Sequence, residues 1–274
     1  MSSTVTDRAG APSQTIAGQA YDAILDLIRR GEVGPNDLLS HRRMSERLGL
    51  GRLPVSVALN RLEQDGLVRS QPRVGTRLVT TDAETVWGLL HWRLAIESEV
   101  ARLASEWLRP KSPDAKRLLG AARNTDGKIE HVFRAAGGVP GHDHPPSEAI
   151  RQADEEADRA DVIFHLLLAE LSGAPQLHRE MARLDIYHIK VDLCEAVEAA
   201  AIEQPALPPD HVALVEAVLS GDPDVAERTM RHHLLDSRTV AGFMRWYRAQ
   251  RRGGENGNGY DDEEQRSPAR AAGG

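Results

Sequence analysis

Cysteine, aromatic residues and long apolar runs are scarce in this sequence of 274 residues. The single cysteine, Cys194, cannot form an internal disulfide, which excludes a scaffold held by disulfides within the chain. Aromatic residues make up 4% of the chain, which disfavours a β-sandwich and favours helices packed through Leu, Ala and Val. No run of 18 apolar residues occurs, and the N-terminal stretch MSSTVTDRAGAPSQT lacks the apolar core of a signal peptide. We therefore expect a soluble protein of the reducing cytoplasm with no membrane partner.

Acidic residues are scarce in one part of the chain. Residues 42–77 contain eight arginines and three acidic residues, a net charge of +5. The whole chain carries −7, so the remainder carries −12. Clustered arginines favour contact with a polyanion, because binding releases the counterions held by phosphates. An ordinary arginine-rich helix surface is the alternative that charge alone leaves open.

The N-terminal quarter of the sequence predicts three helices and a hairpin. Apolar residues recur at helical spacing after Ala20, and further helices are expected at 41–48 and 52–65. The stretch LVRSQPRVGTRLV then alternates around Pro72 and Gly75, which is typical of a two-stranded hairpin with a basic tip. This order of elements predicts a winged helix-turn-helix.

The third of these helices has two distinct sides. Leu53, Val57 and Leu62 lie roughly along one of them. Arg52, Ser56 and Asn60 are spaced i, i+4, i+8 along the other.

The remainder of the chain shows almost no strand signal and predicts a mainly α protein. Helices are expected at 83–108, 113–123, 147–172, 174–201, 210–220 and 223–250. The predicted organisation is a disordered arm at 1–15, a winged helix-turn-helix at 16–80, an all-α bundle at 81–250 and a disordered tail at 251–274. Residues 124–150 are expected to be irregular, and the sequence gives them no function.

Four stretches carry a resemblance to a known family. YDAILDLIRRGEVGPNDLLSHRRMSERLGLGRLPVSVALNRLEQDGLVRSQPRVGTRLV resembles the winged-helix domain of the GntR family of bacterial transcription regulators. The rest resembles the FCD effector domain of its FadR branch, in WRLAIESEVARLASE, DVIFHLLLAELSGAPQL and HVALVEAVLSGDPDVAERTMRHHL. The resemblance implies a homodimeric regulator, usually a repressor, that binds a palindromic operator in double-stranded DNA.

The resemblance also implies where DNA is bound. Arg52 matches the family arginine that follows the N-cap of the recognition helix, and Arg42 matches a phosphate or base contact on the preceding helix. Gly75 matches the glycine of the wing. The expected DNA-binding residues are Arg42, Arg43, Arg52, Ser56, Asn60, Arg73 and Gly75.

The stretch GRLPVSVAL departs from the family pattern. Gly51 stands in place of a capping Ser and Leu53 in place of Thr. Ser56 and Val57 replace an Arg-Glu pair, so one expected base contact is lost and the family's operator sequences do not transfer directly. Asn60 could pair with adenine in compensation, or could be an exposed residue without a role.

Asp161, His165, His211 and His233 form a candidate metal site. Asp161 and His165 are four residues apart on a predicted helix and therefore project from one face. One carboxylate and three imidazoles suit Zn²⁺, Mn²⁺ or Ni²⁺ with coordination positions left open. The resemblance implies a metal ion, most simply Zn²⁺, on these four positions. From the residues alone, a hydrogen-bonded Asp161–His165 pair is the alternative.

Arg93 is the candidate effector-binding residue. It matches an arginine near the ligand in the family, where it would complete a clamp on a small organic acid held by the metal. A salt bridge to Glu97 at i+4 is an equal alternative. Two other functions remain open: a metal-dependent hydrolytic enzyme that uses the Asp/His site, and a purely structural metal in a dimerisation bundle.

Overall fold

The computed structural model describes residues 15–35, 37–71, 75–135, 147–183, 189–191, 194, 197, 210–236 and 238–257. The chain divides into two compact units. The first unit comprises residues 1–81 and 185–194, and the second comprises 82–184 and 195–274. The described residues are mainly helical, as the sequence predicts.

The first unit is a winged helix-turn-helix, which confirms the predicted fold. Its elements are α1 (Ile16–Arg29), α2 (His41–Leu48), α3 (Arg52–Gln64), β1 (Val68–Gln71) and β2 (Gly75–Leu78). The strands pair antiparallel, with Val68 opposite Leu78. Ser40 begins α2, because its hydroxyl accepts a hydrogen bond from the Arg43 amide, and Gly49 ends α2 in the left-handed conformation.

The core of the first unit holds α3 in a fixed position against α1. Its fully buried side chains include Ile24, Leu39 and Leu62. Tyr21 adds a polar link, because its hydroxyl donates a 2.7 Å hydrogen bond to Asp65 Oδ2 at the end of α3. The Arg61 guanidinium lies 4.0 Å above the Tyr21 ring. These contacts set which side of α3 remains outside.

The second unit is a helical bundle. It contains α4 (Ala83–Trp107), α5 (Pro113–Ala135), α6 (Glu148–Leu171), α7 (Pro175–Met181), α8 (His211–Leu219), α9 (Pro223–Asp236) and α10 (Arg238–Gly257). Phe164, Leu168, Leu118, Leu214 and Met230 are fully buried in its core. Asp82 caps α4 and Ser147 caps α6, each by accepting a backbone amide hydrogen bond.

Four features of the helices differ from the sequence prediction. The single helix expected at 223–250 is two helices, α9 ending at Asp236 and α10 beginning at Arg238. Helix α5 continues to Ala135, so residues 124–135 are helical, because Thr125 is buried and donates a hydrogen bond to Ala160 O of α6. The helix expected at 174–201 ends at Met181, and residues 182–183 form a turn. Helix α10 runs to Gly257, beyond the predicted end at residue 250. None of the helices in the described ranges combines the length and apolarity that crossing a bilayer requires.

Candidate functional site

Four side chains of the second unit converge in its interior. Asp161 and His165 lie one turn apart on α6, His211 begins α8, and His233 lies on α9. One donor atom from each of these four residues lies within 4.8 Å of the other three. The structure thus brings together all four residues that the sequence proposes as metal ligands.

The donor atoms are close enough to share one ion. His211 Nε2 lies 2.9 Å from Asp161 Oδ1, and His233 Nε2 lies 3.3 Å from His165 Nε2. His165 Nε2 and Asp161 Oδ1 are 3.7 Å apart. His165 and His211 are buried, whereas the Asp161 side chain is 20% exposed, so solvent reaches the cluster beside this carboxylate.

A carboxylate contacts the other ring nitrogen of each histidine. His165 Nδ1 lies 2.5 Å from Glu97 Oε2, and His211 Nδ1 lies 2.7 Å from Asp126 Oδ1. His233 Nδ1 lies 2.5 Å from Asp210 Oδ1. Histidines that bind metals commonly donate their second nitrogen to such a carboxylate, which fixes the ring and its tautomer.

This arrangement fits a divalent metal ion. A neutral imidazole whose Nδ1 donates to a carboxylate presents a lone pair at Nε2. The Nε2 atoms of His165 and His233 then face each other at 3.3 Å without a proton between them. Zn²⁺ binds imidazole nitrogen at about 2.0–2.1 Å, so two nitrogens on one ion lie roughly 3.0–3.5 Å apart.

The charges of the cluster also favour a cation. With neutral imidazoles, the carboxylates of Asp161, Glu97, Asp126 and Asp210 and the guanidinium of Arg93 sum to −3. Burial alone would raise the pKa of Glu97, but Arg93 and His165 lower it to about 2. Burial likewise opposes ionisation of Asp161, yet the charge of His165 and the hydrogen bond from His211 hold its pKa well below the usual range.

His211 and His233 differ in how readily they take up a proton. Burial lowers the pKa of His211, but its hydrogen bonds to Asp126 and Asp161 outweigh this effect and raise the pKa to about 9. For His233, burial and the neighbouring His165 outweigh Asp210, and the pKa is lowered. A proton on His211 would therefore offset part of the negative charge of the cluster.

Sequence reasoning missed the carboxylates behind the imidazoles. Asp210 precedes α8 but does not cap it with its side chain, because its carboxylate contacts His233. Asp126 caps α8 instead, because its two carboxylate oxygens accept hydrogen bonds from the backbone amides of His211 and Val212. Asp126 lies in the stretch to which the sequence gave no function. One chemical argument could have predicted such carboxylates: a histidine that binds a metal through one ring nitrogen needs a hydrogen-bond acceptor for the other.

Arg93 lies beside the cluster and is already paired. Its Nε donates to Glu97 Oε1, which is the salt bridge that the sequence left as an alternative. Its Nη2 lies 3.8 Å from Asp161 Oδ2. Arg93 thus lies close to two carboxylates: that of the candidate ligand Asp161, and that of Glu97, which contacts the candidate ligand His165.

The residues proposed for DNA binding lie in the first unit, and most are exposed. Arg42, Arg43, Arg52 and Asn60 are exposed, and Ser56 is half-buried. Arg42 forms an exposed ion pair with Glu46 on its own helix, with Nε and Oε1 3.4 Å apart. Arg73 lies outside the described residues.

Gly75 has a structural role at the start of β2. Its φ is +112°, in the region that favours glycine. A Cβ at this position would lie 2.5 Å from Leu38 Cδ1, and the adjacent Thr76 carbonyl accepts the Leu39 amide. The close approach visible at Gly75 is therefore to the side chain of Leu38.

The two sides of α3 are unequal in burial. Helix α3 is buried through Val55, Ala58, Leu59 and Leu62. Leu53 and Val57, which the sequence places on the side of Leu62, are instead exposed, at 78% and 49%. The reason is geometric: at about 100° per residue, Leu53 points almost opposite to Leu62.

The comparisons with known proteins agree with this architecture. The family described as "Bacterial regulatory proteins, gntR family" matches residues 16–78, and the FCD domain matches residues 89–236. The chain is 27% identical over 244 residues to the HTH-type transcriptional repressor NanR of Enterobacter sp. strain 638, covering 80% of this chain and 82% of that protein. It is 28% identical over 227 residues to NanR of Citrobacter rodentium, covering 76% and 78%.

A solved structure shows the same fold. E. coli McbR/YncC aligns with a TM-score of 0.58 at 16% identity, over 85% of this chain and 99% of that one. Together with the two family matches, the winged helix and the helical second unit lead to one conclusion: the chain belongs to the GntR family of bacterial regulatory proteins, with an FCD domain following its GntR domain.

Proposed function

We propose that the protein is a cytoplasmic transcription repressor whose binding to DNA responds to a small organic acid. In this proposal a homodimer binds a palindromic operator through α3, and a divalent metal ion, most simply Zn²⁺, holds the acid in the FCD domain. The observation that carries the proposal is that one chain combines an exposed, arginine-flanked helix of a winged helix-turn-helix with a buried Asp/His₃ cluster.

The first unit supports DNA binding by its shape and charge. An α-helix fits the major groove, and arginine binds guanine through O6 and N7 together. Arg52 lies exposed at the first position of α3, and Arg42 and Arg43 are exposed on α2. We assign base contacts to Arg52, Ser56 and Asn60, and backbone contacts to Arg42, Arg43, Arg73 and Gly75. The relatives named above are repressors, which favours repression as the sign of regulation.

The second unit supports a metal-dependent sensor. Asp161, His165, His211 and His233 would hold the ion, and the ion would supply open positions for an anionic ligand. Arg93 would give the ligand carboxylate a second contact, because its guanidinium borders the cluster at Asp161. Ligand binding would then favour one arrangement of the helices over another.

The hydrolytic alternative gains no support from the described residues. Glu97, Asp126 and Asp210 each already contact an imidazole nitrogen, and Glu170 pairs with Arg117 at 3.1 Å. The family to which the chain belongs is one of regulators.

The DNA-binding part is tested by selection from the genome. Purified protein is incubated with sheared DNA of its own organism, and the bound fragments are sequenced. A few enriched sites that share a short palindrome are expected, and neighbouring genes then nominate organic acids to test. Uniform recovery that is lost as salt rises would mean only phosphate attraction and would contradict specific regulation.

The sensor part is tested with two neighbouring histidines. His233→Ala is expected to abolish the metal that copurifies with the protein and the response to the acid, while operator binding is retained. His232→Ala is the matched control, because His232 is exposed on the same helix. Metal content by elemental analysis and operator affinity with and without the acid are the readouts. If loss of the metal lowers the stability of the protein but leaves the effect of the acid on operator affinity unchanged, the metal is structural.

A further inference from the structure

We propose that Leu53 and Val57 form an apolar reading surface on α3 that recognises the 5-methyl groups of thymines in the major groove. The inference rests on the proposed DNA-binding function and deepens it, because it names the bases that the operator must contain. It concerns the two positions of α3 at which this chain carries aliphatic residues in place of the family's polar ones.

Leu53 lies at the centre of the outer side of α3. The helix is held in the unit by the residues that point inward, which are Val55, Ala58, Leu59 and Leu62. At about 100° per residue, Leu53 points away from all of these side chains, and Val57 lies one turn further along the same outer side. Leu53 is 78% exposed and Val57 is 49% exposed, so neither serves the core of its unit.

The surroundings of this apolar pair favour DNA as its partner. Asn60 is exposed within about 20° of Leu53 around the helix axis. Arg52 is exposed next to Leu53 at the start of α3, and α2 contributes exposed Arg42 and Arg43. The segment 42–77 carries +5 overall. A hydrophobic surface within a strongly positive one is poorly suited to the apolar face of a protein partner, but it matches a groove with phosphates on both rims and methyl groups on its floor.

The position along α3 also fits contact with bases. The first residues of a recognition helix reach the base edges in a helix-turn-helix complex. Leu53 and Val57 fall in the first two turns of α3. In the major groove, thymine is the base that presents an apolar group, its C5-methyl, and aliphatic side chains make favourable contact with it. Neither side chain can donate a hydrogen bond, so contact with the methyl group is the recognition that their chemistry allows.

The test removes the methyl group and nothing else. The probe is the operator duplex recovered by the genomic selection, with deoxyuridine replacing each thymidine singly. For the wild-type protein, we expect one or two replacements in each half-site to weaken binding about threefold to fivefold, which is the effect of withdrawing one buried methyl group from contact. Replacements outside the positions under α3 are expected to have no effect.

Variants then assign the effect to residues. Leu53→Ala and Val57→Ala should each bind the thymidine operator more weakly and lose their sensitivity to one deoxyuridine position. Ile16→Ala is the matched control, because Ile16 is an exposed aliphatic residue of α1 at 58% exposure, and it should retain the full pattern. Circular dichroism checks that each variant is folded, which is expected because both side chains lie outside the core.

Each outcome decides the proposal. Unchanged binding of every deoxyuridine duplex, or sensitivity that persists in both variants, would overturn it while leaving the proposed regulator intact. A change of oligomeric state in Leu53→Ala with DNA binding preserved would assign the surface to a protein contact and would also overturn it. Failure to recover any specific operator would instead refute the proposed function, and the inference would fall with it.

Discussion

Single carboxylates decide how each imidazole of the Asp/His₃ cluster is oriented. Glu97, Asp126 and Asp210 each contact one Nδ1 atom, at 2.5–2.7 Å. Glu97 has a second partner, because Arg93 Nε donates to its other oxygen. The candidate ligand His165 and the effector candidate Arg93 are therefore linked through the fully buried side chain of Glu97. An acid that contacts Arg93 would therefore alter the contacts of His165 through Glu97.

The link predicts the behaviour of Glu97→Gln. Glutamine keeps the shape of the side chain but loses the charge that orients the His165 ring and neutralises Arg93. Removing such a carboxylate behind a ligand typically weakens metal binding about 10-fold to 100-fold. Affinity is measured by competition with a chromophoric chelator. Glu99→Gln is the matched control, because Glu99 pairs with Arg102 on the same helix. Equal metal affinity in both variants would show that Glu97 is only structural.

At the residue scale, the sequence predicts which four side chains converge in the Asp/His₃ cluster, but it does not predict the carboxylates that contact the imidazoles. Asp161 and His165 are recognisable because their spacing of four places them on one helix face, and the family resemblance supplies the two other histidines. The supports come from helices far apart in the chain, and no spacing connects Asp126 to His211, 85 residues later. Their roles depend on bundle packing, which a single sequence does not specify.

The wing depends on a close contact at the start of β2. Gly75 has φ +112°, and a Cβ there would meet Leu38 Cδ1 at 2.5 Å. We expect Gly75→Ala to destabilise the protein by about 1–3 kcal/mol, because it adds both backbone strain and a clash. Urea denaturation followed by far-ultraviolet circular dichroism measures the loss.

Two further variants separate the backbone strain from the clash as causes of the Gly75→Ala destabilisation. Adding Leu38→Ala removes the clashing side chain but not the strain, so the Gly75→Ala defect should shrink in a double-mutant cycle. Gly34→Ala is the control, because its Cβ would meet Asp37 Oδ2 at 3.7 Å, an ordinary contact distance, and its φ is not positive. A Gly75→Ala protein as stable as Gly34→Ala would contradict the predicted role of the contact.

At the element scale, helix starts are predictable where a capping side chain marks them. Ser40 and Asp82 cap α2 and α4, and serine and aspartate are residue types that favour the position before a helix. Helix ends are less predictable, because packing decides them. Helix α5 continues past residue 123, since buried Thr125 holds it to α6, although Asn124 and Gly127 weaken its local helical signal. The exposure of Leu53 was missed for a different reason: nine residues at about 100° each place Leu53 opposite Leu62, so helical spacing itself excludes a shared side.

Over the whole molecule, charge is divided between the positive segment 42–77 and an acidic remainder. Part of the acidic charge is concentrated at the Asp/His₃ cluster, where the named side chains sum to −3 when the imidazoles are neutral. Protonation of His211, whose pKa is raised to about 9, would offset part of this charge, and a bound cation would offset more of it. We therefore expect the stability of the second unit to depend on the metal.

This dependence is measurable because all four tryptophans, at positions 87, 92, 107 and 246, belong to the second unit. Their fluorescence therefore follows the unfolding of that unit. Dialysis against a chelator should lower its unfolding temperature, and Zn²⁺ should restore it. A free-ion concentration of about 100 times the dissociation constant stabilises the folded state by about 2.7 kcal/mol. His233→Ala should unfold at one temperature with or without Zn²⁺, whereas His232→Ala should keep the wild-type difference. A wild-type unfolding temperature that neither chelator nor Zn²⁺ changes would contradict a bound metal, because an ion that binds only the folded cluster must stabilise it.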